Sequence, residues 1–301
     1  MLAALSLAMG SDYDDLMGAS GAAFTTTIDP VSFDPLAAAP LDDATLQRAA
    51  RAAGARTDRV TPPFDDEMKA LVFDRLGESI ASELPPLVRG AVGPPEYGVV
   101  VGYEDRAPTF FVRTFFDKGN EPSEVGWDAF TGSDHGDLVF LDRAAPAARS
   151  ALAREAIARA ADSAPASEAA LSAWRDALRD ETRWQDPRHG GSAAFADHAM
   201  RTLLADKRRA AARYLRSVRE DVPARAGAEL LRAAEAYGKV VDSAEHVGVG
   251  PFDPAVALRF VEGGQRRAWA NALERIIGHE SEAHEAIAAA RDALAGAAAA
   301  R

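Results

Sequence analysis

The chain has no cysteine, only four lysines and six histidines, and aromatic residues fill just 7% of its 301 positions. Without a thiol there is no disulfide, no thiolate metal site and no cysteine nucleophile within these residues, and the redox compartment is left open. No apolar run approaches the roughly 18 residues of a membrane-spanning helix, so no membrane partner is expected. Residues 1–9 are apolar, but they lack a basic flank and an acidic cluster follows at once. A secretory leader is therefore not expected, and a cytoplasmic location is. The stretch from Gly90 to Gly93 has too few glycines, and no following helix or Lys, to cradle a phosphate, so no cofactor is expected.

What is present is a large apolar fraction, 48%, enough to bury a substantial core in one or two domains; we read two. The net charge of −12 is uneven. Residues 1–146 carry 24 Asp/Glu against 11 Lys/Arg, and residues 147–301 carry 22 against 23. An acidic N-terminal half opposes phosphate binding, which excludes nucleic acid as a partner there; solubility alone accounts for such a field.

Residues 2–9 are good helix formers, apolar on nearly every side, and predict a helix buried all round with no Ser, Thr, Asp or Asn ahead of it as a cap. Ser11 is positioned to cap a short helix over residues 12–17, which Gly18 ends. Residues 22–28 have the β-branched density of a strand. Helices follow from Asp42 or Asp43 to about Ala53 and from Asp65 to Leu84, the second with Met68, Leu71, Val72, Leu76, Ile80 and Leu84 on one face. Residues 97–103, 109–116 and 137–141 read as strands, the first two joined by a short hairpin turn, with 99–101 covered on both faces. Beyond Pro146 only helices fit, at 147–162, 167–181, 192–219, 224–246 and 264–299, the first two divided at Pro165. The fold class is α+β, with a domain over residues 1–145 and an all-helical domain over 146–301.

Four stretches carry a resemblance. They are residues 12–24 (Asp12-Tyr13-Asp14-Asp15-Leu16-Met17-Gly18-Ala19-Ser20-Gly21-Ala22-Ala23-Phe24), residues 96–105 around Tyr97-Gly98-Val99-Val100-Val101-Gly102-Tyr103, Trp174 with Leu178-Arg179-Asp180, and Lys207-Arg208-Arg209 through Tyr214-Leu215. Together they resemble the bacterial family related to the butirosin-biosynthesis aminoacyl transferase, over about residues 1–245. The resemblance implies a papain-like N-terminal domain similar to the cysteine-peptidase domains of bacteriocin-processing transporters, its central helix packed on an antiparallel sheet. In that pattern a Cys opens the central helix and a His precedes the strand that ends in Gly-Tyr, because a helix N-terminus lowers a thiol pKa and an imidazole completes the ion pair. Laid on this chain, Ala3-Ala4-Leu5 takes the place after the Cys, so the Cys position falls immediately before Met1. The His position falls at Glu96 or Tyr97. The implied function is that of a biosynthesis-associated protein resembling an acyl or aminoacyl transferase but lacking its catalytic pair, binding a small molecule or a carrier protein. The alternatives are an active cysteine-dependent acyltransferase or amide hydrolase whose Cys lies just upstream of Met1, and a structural interaction module.

The candidate site residues follow from this frame. Glu96 and Tyr97 would edge the cleft, where a carboxylate serves as a base or binds an amine; exposed residues at the start of a strand are the plainer reading. Ser20 is flanked by glycines, but a nucleophile elbow needs a strand before the helix, and here the order is reversed; a tight turn is expected. His135 lies in a polar loop of the N-terminal half. His279 and His284 are five apart rather than four, which swings the imidazoles away from each other, so a solvated helix face is expected rather than a metal site. Arg209, Arg213, Arg216 and Arg219 form a stripe on one helix that would suit an acidic acyl or peptidyl carrier protein or be internally paired. Trp174, Trp184, Tyr214, Tyr237 and Trp269 are expected in the core.

Overall fold

A computed structural model of the chain describes residues 1–34, 42–93, 96–104, 109–115, 117, 119, 121–127, 136–185, 187–249, 255 and 262–299, and of residues 183, 185, 187–192, 298 and 299 only the backbone. His135 and the hairpin turn at 105–108 lie outside these residues. The fold class is α+β: helices and one six-stranded antiparallel sheet, in two compact units. Unit 1 is Met1–Leu16 with Asp43–Ala147, and unit 2 is Met17–Asp42 with Ala148–Arg301. The second boundary falls within two residues of the one read from the sequence, but residues 17–42 belong with the helices rather than with the first domain.

In unit 1, α1 (Leu2–Met9) leads through Gly10, in the left-handed region at φ 61, into α2 (Tyr13–Ser20), whose residues from Met17 on belong to unit 2. The cap of α2 is Asp12, whose Oδ1 accepts from the Asp15 amide at 2.9 Å; Ser11 instead ties its backbone to Ser6. The expected all-round burial of α1 is corrected. Leu2, Ala4 and Leu5 are buried, but Leu7 is 62% exposed, because eight residues packed onto a sheet bury only one side. After α3 (Asp43–Ala52) come β1 (Ala55–Val60), α4 (Asp66–Ala81), β2 (Leu87–Arg89), β3 (Tyr97–Glu104), β4 (Thr109–Arg113), β5 (Ser123–Gly126) and β6 (Leu138–Arg143). Across the sheet the order is β1-β6-β2-β3-β4-β5.

Strand alternation builds two faces. Val88, Val100, Phe110, Val112, Leu138 and Phe140 join Val72 and Leu76 of α4 in one core. The residues between them, Leu87, Val99 and Val139, are buried on the other face, and α1 packs on the same strands, β2 and β3. The cover on both faces expected at 99–101 holds for Val99 and Val100 and stops at Val101, which is 40% exposed.

Unit 2 has four long helices among the described residues: α5 (Arg149–Arg179), α6 (Pro187–Val218), α7 (Ala224–Val247) and α8 (Gly264–Ala299). Pro165 does not break α5 as expected. It removes one backbone donor, but buried Ile157 and Ala160 before it and Ser167 and Leu171 after it hold both turns against their neighbours. The segment from Gly21 is not the expected strand. Gly21, at φ 89, turns the chain into a 3-10 turn at Ala22–Phe24, and the carbonyls and hydroxyls released from strand pairing are taken up by helix side chains. Arg208 of α6 donates to the Ala23 carbonyl at 2.6 Å and the Thr26 hydroxyl at 2.6 Å while gripping both oxygens of Glu280 of α8. Arg208 and Glu280 are fully buried. Ser167 of α5 accepts from the Thr26 amide at 3.0 Å and donates to the Phe24 carbonyl at 3.4 Å. The described residues contain no helix long and apolar enough to cross a membrane.

Candidate functional site

The residues that could act on a ligand in unit 1 gather where β3 begins, on the α1 face of the sheet. Register places them there: Tyr97, the first residue of β3, lies opposite Arg89, the last residue of β2, and β6 next to β2 brings up Asp137 from the position just before it. The Arg89 amide donates to the Asp137 carbonyl at 2.9 Å and the Gly90 amide to the Glu96 carbonyl at 2.9 Å. Arg59 comes from β1, the neighbour of β6, and Asp43 from the first turn of α3.

The charges of this cluster are only partly matched. Arg59 pairs with Asp43 at 2.8 Å. Asp137, nearly buried, lies between two guanidinium groups, 4.0 Å from Arg59 and 3.8 Å from Arg89. Those separations give attraction without hydrogen bonds. Tyr97 is 7% exposed, and its phenol oxygen has no hydrogen-bond partner among the described residues; the same holds for Nε of Arg59. Burial pushes the Tyr97 phenol up from its ordinary pKa, with Arg59 drawing it the other way, so at neutral pH it is an O–H donor. Glu96 is exposed, and its carboxylate is the charge felt by the Met1 amino group, which burial holds below its ordinary pKa. The cluster thus supplies a phenol, two guanidiniums and carboxylates, with Glu96 the charge that reaches Met1. Among the described residues it contains no imidazole, and the sequence has no cysteine. It can bind charged groups of either sign; among the described residues it holds no nucleophile with a base to activate it.

Of the described residues expected at a site, the structure brings together Glu96 and Tyr97; His135 lies outside the described residues. Tyr97 is buried, unlike the exposed strand-start position that was its plainer reading, whereas Glu96 fits that reading. Ser20 is fully buried at the end of α2 in unit 2, where its hydroxyl donates to the Met17 carbonyl at 3.1 Å and accepts from the Ala22 amide at 3.3 Å. It makes a turn, as expected of it, although the strand expected after it is absent. Arg213 and Arg216 are exposed on α6, Arg209 half-buried on it, and Arg219 just past its end, and all are engaged: Arg209 with Glu245 at 2.5 Å, Arg216 with the Ala234 carbonyl at 3.4 Å, Arg219 with Glu220 at 3.3 Å, and Arg213 also interacting. The expected solvated face at 279–284 is corrected. His284 is buried, its Nδ1 2.7 Å from Glu168, because positions 276, 280, 283, 284 and 287 form the stripe of α8 that faces the other helices. The five aromatics expected in the core are all buried.

Sequence reading missed Arg59, Arg89, Asp43 and Asp137. β1, Ala-Arg-Thr-Asp-Arg-Val, has too few apolar residues to announce a strand, and β2 is three residues long. Its four central residues, Arg56 to Arg59, are all polar, so no apolar alternation marks it as a strand. A larger concavity of about 460 Å3 lies on the α4 face, lined by residues including Met68, Leu71, Val72 and Phe140. It is mostly apolar, and its Arg75 is already stacked 4.1 Å over Phe140 and paired with Asp58. No family model matches the chain, and no curated protein matches it.

Proposed function

We propose that this chain is a binding protein on a papain-like scaffold, related to acyl and aminoacyl transferases but without their chemistry, and that it holds a small zwitterionic molecule, an amino acid or aminoacyl compound, at the Tyr97 cluster. The observation that carries the reading is the buried Tyr97 phenol with no hydrogen-bond partner among the described residues, set among Arg59, Arg89 and Asp137. A buried donor left unmatched costs about 1–3 kcal/mol, which a ligand that accepts its hydrogen bond returns. Both signs of charge stand within one cluster, so a carboxylate has Arg59 and Arg89 to face and an amine has Asp137 and Glu96. The resemblance puts the family's His position at Glu96 or Tyr97 and its Cys position just before α1, which supports a site at this cluster. Small-molecule binding is favoured over carrier docking because the guanidiniums of the α6 stripe already have partners.

Calorimetric titration with free amino acids, their amides and the matching carboxylates tests this. Amino acids are expected to bind more tightly than either single-charge analogue, and Tyr97→Phe to weaken them about tenfold. Equal binding by Tyr97→Phe, or no binding by any of the three classes, overturns the proposal.

A further inference from the structure

The two guanidiniums beside Tyr97 are not equivalent. Arg89 has interactions beyond its approach to Asp137, whereas Arg59 makes ion-pair contacts with Asp43 and Asp137 alone among the described residues. Nη1 of Arg59 lies 4.0 Å from Asp137, and its Nε and Nη2 are buried with no hydrogen-bond partner among the described residues. Nε and Nη2 share one edge of the guanidinium plane, with their hydrogens pointing the same way. That edge is the fork that grips a carboxylate through two parallel hydrogen bonds.

Asp43 reaches this fork without filling it. Its Oδ1 stands 2.8 Å from Nη2, but no Nη2 hydrogen is aligned on it, so the contact is ionic and not a hydrogen bond. The Asp43 side chain is 61% exposed in the first turn of α3, and an exposed pair of that kind adds little stability. Two aligned hydrogen bonds from buried donors add more, because those donors have no other acceptor. The buried Tyr97 hydroxyl, in the field of both Arg59 and Asp43, is a third donor in the same condition. Unmatched donors on two side chains of one cluster fit an anion that brings two oxygens.

We propose that Asp43 is an internal competitor for the carboxylate of the ligand: the bound molecule's carboxylate displaces it from Arg59 and takes the Nε–Nη2 edge, so the site selects a free acid against its ester or amide. This rests on the Tyr97 cluster being the binding site proposed above. An ester or amide carries no negative charge, so it gains less from the fork and does not drive off the charged Asp43. Asp43 is thereby a specificity-determining residue, acting through Arg59 on which form of the ligand is held.

Calorimetry on the full chain, Asp43→Asn and Asp43→Glu tests this, with the tightest-binding amino acid of the titrations above, its methyl ester and its amide as probes. Asp43→Asn is expected to tighten the amino acid about two- to fivefold and to leave the ester and the amide unchanged. Asp43→Glu keeps the competing charge and is expected to bring no gain. In parallel, the Nε–H proton resonance of Arg59, assigned by its loss in Arg59→Lys, is expected to move downfield with the amino acid and not with the amide. Equal or weaker binding of the amino acid to Asp43→Asn, the same gain for acid and amide, or an unmoved Arg59 resonance in a chain that binds the amino acid overturns the competitor and leaves the binding site standing. No binding by either the unmodified chain or Asp43→Asn overturns both together.

Discussion

Arg208 and Glu280 show how much a single pair can carry when water is excluded. Both are fully buried, in contact through two oxygens, and two of the other three guanidinium protons go to Ala23 and Thr26. Removing one partner leaves an unmatched charge inside the protein. Glu280→Gln is expected to lower unfolding free energy by about 3–5 kcal/mol in urea titrations, whereas Lys239→Gln, which breaks the exposed pair with Glu282, should change it by less than about 1 kcal/mol. The sequence marks Lys207-Arg208-Arg209 only as part of a basic helix. Which of three adjacent cations is buried depends on the rotation of α6, and the apolar periodicity around them is blurred by alanines that fit either face. Tyr97 was legible by contrast, because its place at the head of an apolar strand is a local property; the arginines and aspartates around it come from elements far apart in the chain.

At the level of elements, long helices and the central strands were readable because their periodicity extends over many residues. Short or polar elements were not: β1, β2 and β5 owe their existence to neighbours that supply backbone hydrogen bonds and cover. The stretch after Gly21 was misread because β-branched threonines favour strands, yet here their hydroxyls and carbonyls serve helix side chains. The approach of α2 to α6 has its own requirement. A Cβ added at Gly18 would stand 2.0 Å from Cγ of Tyr214, a ring that is itself buried. Gly18→Ala forces ring and helix apart and is expected to cost about 1–3 kcal/mol by thermal or urea unfolding. Asn or Ser there should cost at least as much, so the position tests packing rather than helix propensity.

The whole molecule is divided differently in sequence and in space. Unit 2 takes residues 17–42 from the N-terminal half, and with them three aspartates and no basic residue. Unit 1 is left with 21 Asp/Glu against 11 Lys/Arg, and unit 2 has 25 against 23. Most of the net acidity thus belongs to unit 1, as the reading by halves has it. A fragment of residues 148–301 lacks the carbonyl of Ala23, the hydroxyl of Thr26 and the ring of Phe24, which lies between Tyr214 and Tyr237. It is expected to melt without a sharp transition by circular dichroism, and a peptide of residues 17–34 added in trans should restore one. A sharp transition in the fragment alone would show the segment to be dispensable.

The bond between Ala23 and Arg208 spans 185 residues. At about 5–20 residues per second, the ribosome needs roughly ten to forty seconds to make the second partner after the first. For most of that interval the Ala-Ala-Phe-Thr segment exists with none of the helices that will enclose it, since α5 is complete only at Arg179. The first part of unit 2 to be synthesised is thus among the last to be secured, and a holding factor that shields an apolar Phe24 early in translation would act on that delay.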